Sequence, residues 1–331
     1  MVPASVDLVI SVEDANGARE FLTRAGQHAP SLTPEAVGAT LRERVGIDLL
    51  AEPAAWGLSP RGARLLIFSG KGAGLIAPLK DSAAARRMLA SWIGAKGGRA
   101  GRIAGSRLLT ASGREAAALL AAMARPAALP RDLAARAAGP LWVWAPLAEP
   151  LRGVVLALGA SATGISARGL ATASRPILSG NAPAGGDGTI ACLRAGLGPA
   201  GRAALARLLI LLAGSPQQGL DRASRAEERI EAIDVGQLSD ARSLPRALRI
   251  VPVFDGPESP GPALEARIDL GGIDSALATL TPLDALRGGF AASSFAAHLL
   301  YGRLLRNAGP LLLTATPRGN TAEVELHLPL R

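Results

Sequence analysis

Between Leu8 and Leu79 the spacing of apolar residues switches from two to three-and-four and back to two, and that switching confines the segment to helices packed on a sheet. Val6, Leu8, Ile10 and Val12 fall on alternate positions around Asp7, Val9 and Ser11; with Val9 apolar as well, the pattern suits a strand covered on both faces. Asp14 stands where it can cap a helix whose Ala18, Phe21, Leu22 and Ala25 recur at helical intervals, with Gly26 as its stop. Thr33-Pro34-Glu35 opens a second helix, with Thr33 as cap, Pro34 in the first turn, Val37, Leu41 and Val45 as its stripe, and Gly46 after it. Trp56 plugs the core beneath a loop, and Leu65 to Phe68 and Leu75 to Leu79 form a hairpin around Gly70-Lys71-Gly72-Ala73-Gly74.

A third helix follows from a cap at Asp81 or Ser82, with Ala85, Met88, Leu89, Trp92 and Ile93 on one face and Arg86 and Arg87 pointing away. A second hairpin turns near Gly105-Ser106, Ser112 and Glu115 are spaced as a capping box, and a helix runs on to Met123. The Pro- and Ala-rich stretch from Pro126 to Pro140 marks a boundary, which divides the chain into an N-terminal basic unit, 1–139, and a C-terminal unit, 140–331. In the second unit Trp142 and Trp144 share one strand face, strands at 154–158 and 164–173 form a hairpin, and 174–188 has the composition of a mobile loop. A strand at 189–194, helices over 199–235, and strands at 248–254 and 264–270 follow. Helices near 274–280, 282–287 and 293–305 precede a hairpin of 311–316 and 321–328. Leu8–Leu79 and Leu264–Leu328 thus share the order strand, helix, helix, hairpin, read here as an internal repeat. The expected class is α+β: antiparallel sheets with helices packed on one face, built from repeated strand-helix-helix-hairpin units.

Charge is localised. The chain of 331 residues carries a formal +9, yet residues 61–137 alone hold 14 Arg and Lys against Asp81, Glu115 and Asp132, and the remainder is close to neutral. Arg accounts for 33 of the 36 basic residues, a bias that GC-rich coding also produces, so position says more than the total. A surface of this sign attracts phosphate, carboxylate or anionic head groups over about 8 to 10 Å. Arg86, Arg87, Arg99, Arg102 and Arg107 are the candidate contacts, and an anionic lipid surface or an acidic protein or polymer is the candidate partner. Nucleic acid is a poorer fit: aromatic residues make up 3% of the chain, and Phe68 and Trp92 in the basic stretch suit the core better than base stacking.

Reactive centres are harder to assemble. One cysteine, Cys192, excludes an internal disulfide, and His28, His298 and His327 lie too far apart in sequence for a local metal motif. Gly196-Leu197-Gly198-Pro199-Ala200-Gly201 spells a dinucleotide fingerprint after a strand and before a helix, which offers Gly196, Gly198 and Gly201 as an alternative cofactor site. The polar helix pattern over 215–233 stands where the second parallel strand of that fold belongs. Glycines 70–74 lack phosphate-loop spacing, Ser161 and Ser166 lie outside a nucleophile elbow, and His327, Glu325 and Glu323 alternate as the wet face of an edge strand does. The chain therefore reads as a non-enzyme with no cofactor, the alternatives being a nucleotide-dependent enzyme using Gly196–Gly201 and an Arg-driven nucleic-acid binder.

No run of 18 apolar residues suggests a transmembrane span; Leu208 to Ala213 reads as a buried helix. Val2 to Asp14 with the helix after it, Val45-Gly46-Ile47-Asp48, and Pro78-Leu79-Lys80-Asp81 ahead of the next helix resemble a diffuse group of bacterial proteins of unknown function, exported or lipid-anchored in the cell envelope. The likeness spans about the first 120 residues and the last 70. It implies a periplasmic or envelope-associated binding domain once a signal or anchor has been removed, and a cytoplasmic one otherwise; it brings no catalytic residues with it.

Overall fold

The computed structural model describes residues 6–27, 30–50, 53–70, 72–95, 97–124, 139–147, 149, 151–180, 182, 191–198, 200–201, 233–235, 248–254, 262–272 and 306–330. Two compact units emerge, Met1–Leu147 with Gly153–Ala160, and Ala148–Arg152 with Ser161–Arg331. The division falls later than the Pro-rich stretch suggests. Strand β6 (Leu141–Pro146) pairs antiparallel with β1 (Leu8–Val12), and that pairing draws it into the first unit.

The first unit runs β1, α1 (Ala15–Gly26), α2 (Pro34–Val45), β2 (Arg64–Ser69), β3 (Gly72–Pro78), α3 (Ser82–Ala95), β4 (Arg99–Ala104), β5 (Arg107–Gly113), α4 (Ala116–Met123), β6 and most of β7 (Leu151–Ser161). Its strands lie in the order β7-β6-β1-β2-β3-β5-β4, every pair antiparallel. Register puts Ile10 opposite Leu66, Leu66 opposite Leu75, and Leu75 opposite Thr110, so these side chains share one face. That face meets Leu41 and Val45 of α2, Leu89 and Trp92 of α3, and Trp56 in one core. Val9, Ile67, Gly74 and Ala111 line the other face, where a Cβ on Gly74 would stand 2.7 Å from Met123 Sδ of α4. Helices therefore pack on both faces of this sheet rather than on one. Val9, Ile67 and Ala111 are fully buried, and apolar residues on two sides need two covers.

Local chemistry sets the helix ends. Asp14 accepts from the N–H groups of Asn16 and Gly17, both at 3.0 Å, and Thr33 accepts from Ala36 N–H. The Ser112–Glu115 capping box does not form. Ser112 belongs to β5, its hydroxyl donates to Arg44 O, and Glu115 makes no side-chain cap bond at the start of α4. Buried Asp48 accepts from Leu50 N–H and pairs with Arg42 at 3.2 Å, tying the loop after α2 back to that helix. Gly72, Ala73 and Gly74 extend β3 rather than lengthening the turn before it.

The second unit orders its strands β10 (Ile233–Val235), β11 (Leu248–Phe254), β9 (Ala191–Leu197), β12 (Leu264–Ile268), β13 (Leu311–Arg318), β14 (Thr321–Pro329) and β8 (Gly164–Ala173). All pairs are antiparallel except β9 with β11, whose parallel pairing suits the long connection between them. A polar row crosses five strands on one face: Arg194 opposite Glu265, then Thr314, Glu325 and Arg168. Ion pairs close both ends, Arg194 with Glu265 and Arg168 with Glu325. β14 lies between β13 and β8, so it is an interior strand and not an edge. Residues 174–180 do not simply loop out, because Leu178 bridges to Leu197 of β9. The helices expected over 202–232 and 274–305, Leu208–Ala213, the 126–138 linker, His28 and His298 lie outside the described residues. Among the described residues no helix is long and apolar enough to cross a membrane.

Gly46 holds φ +87°, and a Cβ there would meet Trp92 Nε1 at 2.5 Å, whereas Gly70 at φ +49° has open space around it. Gly46→Ala is expected to lower unfolding free energy by about 3 kcal/mol and Gly70→Ala by about 1 kcal/mol, measured by urea denaturation.

Candidate anion-binding surface

α3 carries two of the five candidate arginines, and its seating decides where they point. Asp81 starts it, accepting from Ala83 N–H at 2.8 Å and Ala84 N–H at 3.0 Å. The bonds from Ala84 and Ala83 hold the Asp81 carboxyl below its usual range, and the Arg87 charge adds to the effect. Ala85, Leu89 and Trp92 are buried against the sheet, where Gly101 lets Leu89 approach the backbone closely. Arg86 and Arg87 are left exposed on the outer side. Met88 and Ile93, expected in the buried stripe, are 36% and 37% exposed instead.

Arg99 has a different task. Its guanidinium lies 5.1 Å over the Trp92 ring, and Nη1 donates to Trp92 O at 2.9 Å. Trp92 in turn meets Trp56 edge to face, with centroids 6.5 Å apart. This half-buried arginine binds the C-terminal end of α3 to β4 and places a cation where the helix dipole favours one.

Arg102 and Arg107 are exposed diagonal neighbours across β4 and β5, on the sheet face away from α3, since Arg102 pairs with Leu109 while Ile103 and Leu108 face the α3 core. The five residues therefore wrap the β4 edge rather than share a flat face. Four of them converge on one end of the hairpin. Arg86 lines a groove with Ile93, Ile103 and Gly105 at the β4–β5 turn, Arg87 is its neighbour on α3, Arg107 follows that turn, and Arg102 stands two residue pairs further along β4. Sequence reasoning missed Arg61 and Lys80 at the same end. Arg107 pairs with Pro78, Pro78 O accepts from Ser59 N–H, and Lys80 follows two residues later. Arg61 opens the basic stretch in sequence, and that was the signal available. Among the described residues, none of these six cations makes an ion pair with a carboxylate within 4.0 Å.

Gly196, Gly198 and Gly201 lie in the second unit in a setting that explains them by packing. Gly196 N–H donates to Ala263 O and Gly198 N–H to Ile177 O, so neither amide points at open space. A Cβ on Gly201 would clash with Ile177 O. A parallel strand, β11, does follow β9 in this sheet, about fifty residues on. Glu325 pairs with Arg168 and Glu323 with Arg318, while His327 stands opposite Ser166 and Leu312. Among the described residues no three His, Cys, Asp or Glu side chains gather as metal ligands do.

No protein-family model matches the chain, and no curated protein matches it either. Among solved structures it is similar to crystal form IV of TP0453, at 12% identity and a TM-score of 0.29, over 51% of this chain and 77% of that one.

Arg99→Ala is expected to destabilise the protein by about 1 to 3 kcal/mol through loss of the Trp92 contacts, and Arg102→Ala to stay within about 0.5 kcal/mol of the parent, both by urea denaturation.

Proposed function

We propose that this chain is a non-enzymatic, envelope-associated binding or scaffolding domain whose first unit contacts an anionic partner through Arg86, Arg87, Arg102 and Arg107. The observation that carries this reading is that the four side chains are exposed, stand around one hairpin end on both sides of the sheet, and form no ion pair within 4.0 Å among the described residues, Asp81 acting on Arg87 only at longer range. Internal neutralisation would have left the surface nothing to offer; here the charge stays available.

Met88 and Ile93 favour lipid head groups over a soluble polymer. Large apolar side chains exposed beside arginines are the composition of an interfacial helix, in which the apolar residues enter the acyl boundary and the cations meet the head groups. Each arginine near an anionic leaflet contributes about 1 kcal/mol. Four give about 4 kcal/mol, which alone corresponds to an affinity near millimolar. Such a surface works when something else holds the chain at the membrane, which agrees with an exported or lipid-anchored position in the envelope. The repeat is part of the same proposal. The orders β6-β1-β2-β3-β5 and β9-β12-β13-β14-β8, with every neighbouring pair antiparallel, support two copies of one sheet unit in circularly shifted chain order.

At low ionic strength the protein is expected to float with phosphatidylglycerol vesicles and not with phosphatidylcholine vesicles. Replacing Arg86, Arg87, Arg102 and Arg107 together by Glu is expected to cut the bound fraction by about tenfold or more. Undiminished flotation of the fourfold variant would remove this surface from the account, and binding to polyglutamate without binding to vesicles would replace lipid by an acidic polymer.

A further inference from the structure

We infer that the second unit holds a binding cavity for a single hydrocarbon chain, a ligand separate from the anionic partner of the first unit. A cavity of about 310 Å³ lies over one face of its sheet. Leu264 of β12 stands opposite Ala315 of β13, Ala315 opposite Val324 of β14, and Ala322 of β14 opposite Ala171 of β8, so these residues lie on one face and line the space together. Ile177, held beside β9 by the bond that its carbonyl accepts from Gly198, adds a wall. The polar row of Arg194, Glu265, Thr314, Glu325 and Arg168 occupies the opposite face.

The space is a hollow open on one side rather than a sealed void, most of its lining residues being half-buried. It has twice the volume of the roughly 150 Å³ apolar cavity that stays dry and accepts benzene, so its capacity is on the order of a dozen carbon atoms. The space exists because the positions under it carry alanine: Ala171, Ala315 and Ala322 are one methyl group deep where a leucine would fill the gap.

Water is a poor occupant, since it needs two to four polar partners. Three polar residues, Thr172, Asn320 and Thr321, stand on the lining at the β13–β14 turn end. Thr321 Oγ1 donates to Arg318 O at 2.9 Å and Thr172 has an interaction of its own, while Asn320 is exposed and its backbone O accepts from Ala173 N–H. Shape selects among apolar ligands. The lining spans β12 to β8, four adjacent strands, or about 14 Å at roughly 4.8 Å per strand. That length fits an extended chain better than a compact ring, with the turn end as the place for a polar head.

The test is isothermal titration of the full chain with sodium dodecanoate and with 1-dodecanol, each below its aggregation limit. Saturable one-to-one binding of both is expected, because recognition lies in the chain and not in the head group. Ala322→Phe fills the cavity and is expected to weaken both ligands at least tenfold. Should that variant not fold, Ala171→Leu makes the smaller intrusion on the opposing strand, with the same expectation. Leu313→Ala lengthens the space, and the tightest-binding fatty acid in a C8 to C16 series is expected to shift to a longer chain, a change that loss of packing alone would not produce. Absence of binding by the parent protein, or titrations unaltered in the filled variants with no shift in chain-length preference, would overturn the inference. Binding of dodecanoate but not dodecanol, abolished by the fourfold Arg-to-Glu change in the first unit, would equally place the ligand elsewhere.

Discussion

The central strands of the first unit's sheet have no wet face, and the position of its charge follows from that constraint. Val9, Ile67 and Ala111 are buried on one side and Leu66, Leu75 and Leu108 on the other. Helices α2 and α3 close the second side and α4 packs on the first. An arginine placed within such a sheet would lose its hydration without a partner, a cost of several kcal/mol. Arg64 shows how little room there is: it is 1% exposed, one Nη donates to Ser59 O at 2.9 Å, Nε and the other Nη find no partner, and burial lowers its pKa. The remaining cations of this region go to the edge strand, the hairpin turn and the outer side of α3. Concentration of charge at one end of the β4–β5 hairpin is thus what remains when both faces of the central strands are closed to it.

The second unit resolves the same problem in the opposite way. Its sheet keeps one polar face, where arginines are paired with Glu265 and Glu325 across neighbouring strands. Cross-strand pairing of this kind fixes register and leaves little net field. The contrast separates arginine used as structure from arginine left as surface. Arg194, Arg168 and Arg318 face carboxylates, Arg99 faces a tryptophan ring, and Arg86, Arg87, Arg102 and Arg107 face solvent. Composition alone cannot draw that line, because all of them contribute equally to the formal charge.

Elements with local causes were legible before the structure. Asp14 and Thr33 announce their helices by side-chain chemistry within three residues, Gly46 ends α2 in the left-handed region, and the hairpin at Gly105 follows from alternation on both sides of a glycine. Features decided by distant partners were not. Ser112 looks like a helix cap until β5 extends over it and Arg44 O receives its hydroxyl. Met88 and Ile93 fit the helical stripe, yet the sheet beneath α3 covers only Ala85, Leu89 and Trp92. The fingerprint glycines read alike as a phosphate cradle or as tight packing, and Ile177 O, twenty residues away in sequence, points to packing. Of the charged site, the stretch was visible in the sequence, whereas the separation of Arg99 from the other four required the Trp92 contact.

Hydrogen exchange of the full chain with and without phosphatidylglycerol vesicles at low salt tests the central claim most directly, because it reads which segments a surface covers without altering a residue. The account predicts slowed exchange confined to α3 and to the β4–β5 hairpin around Gly105, fading as salt rises. Slowing confined to the second unit, or none in α3 and the hairpin under conditions where the vesicles are bound, would contradict it.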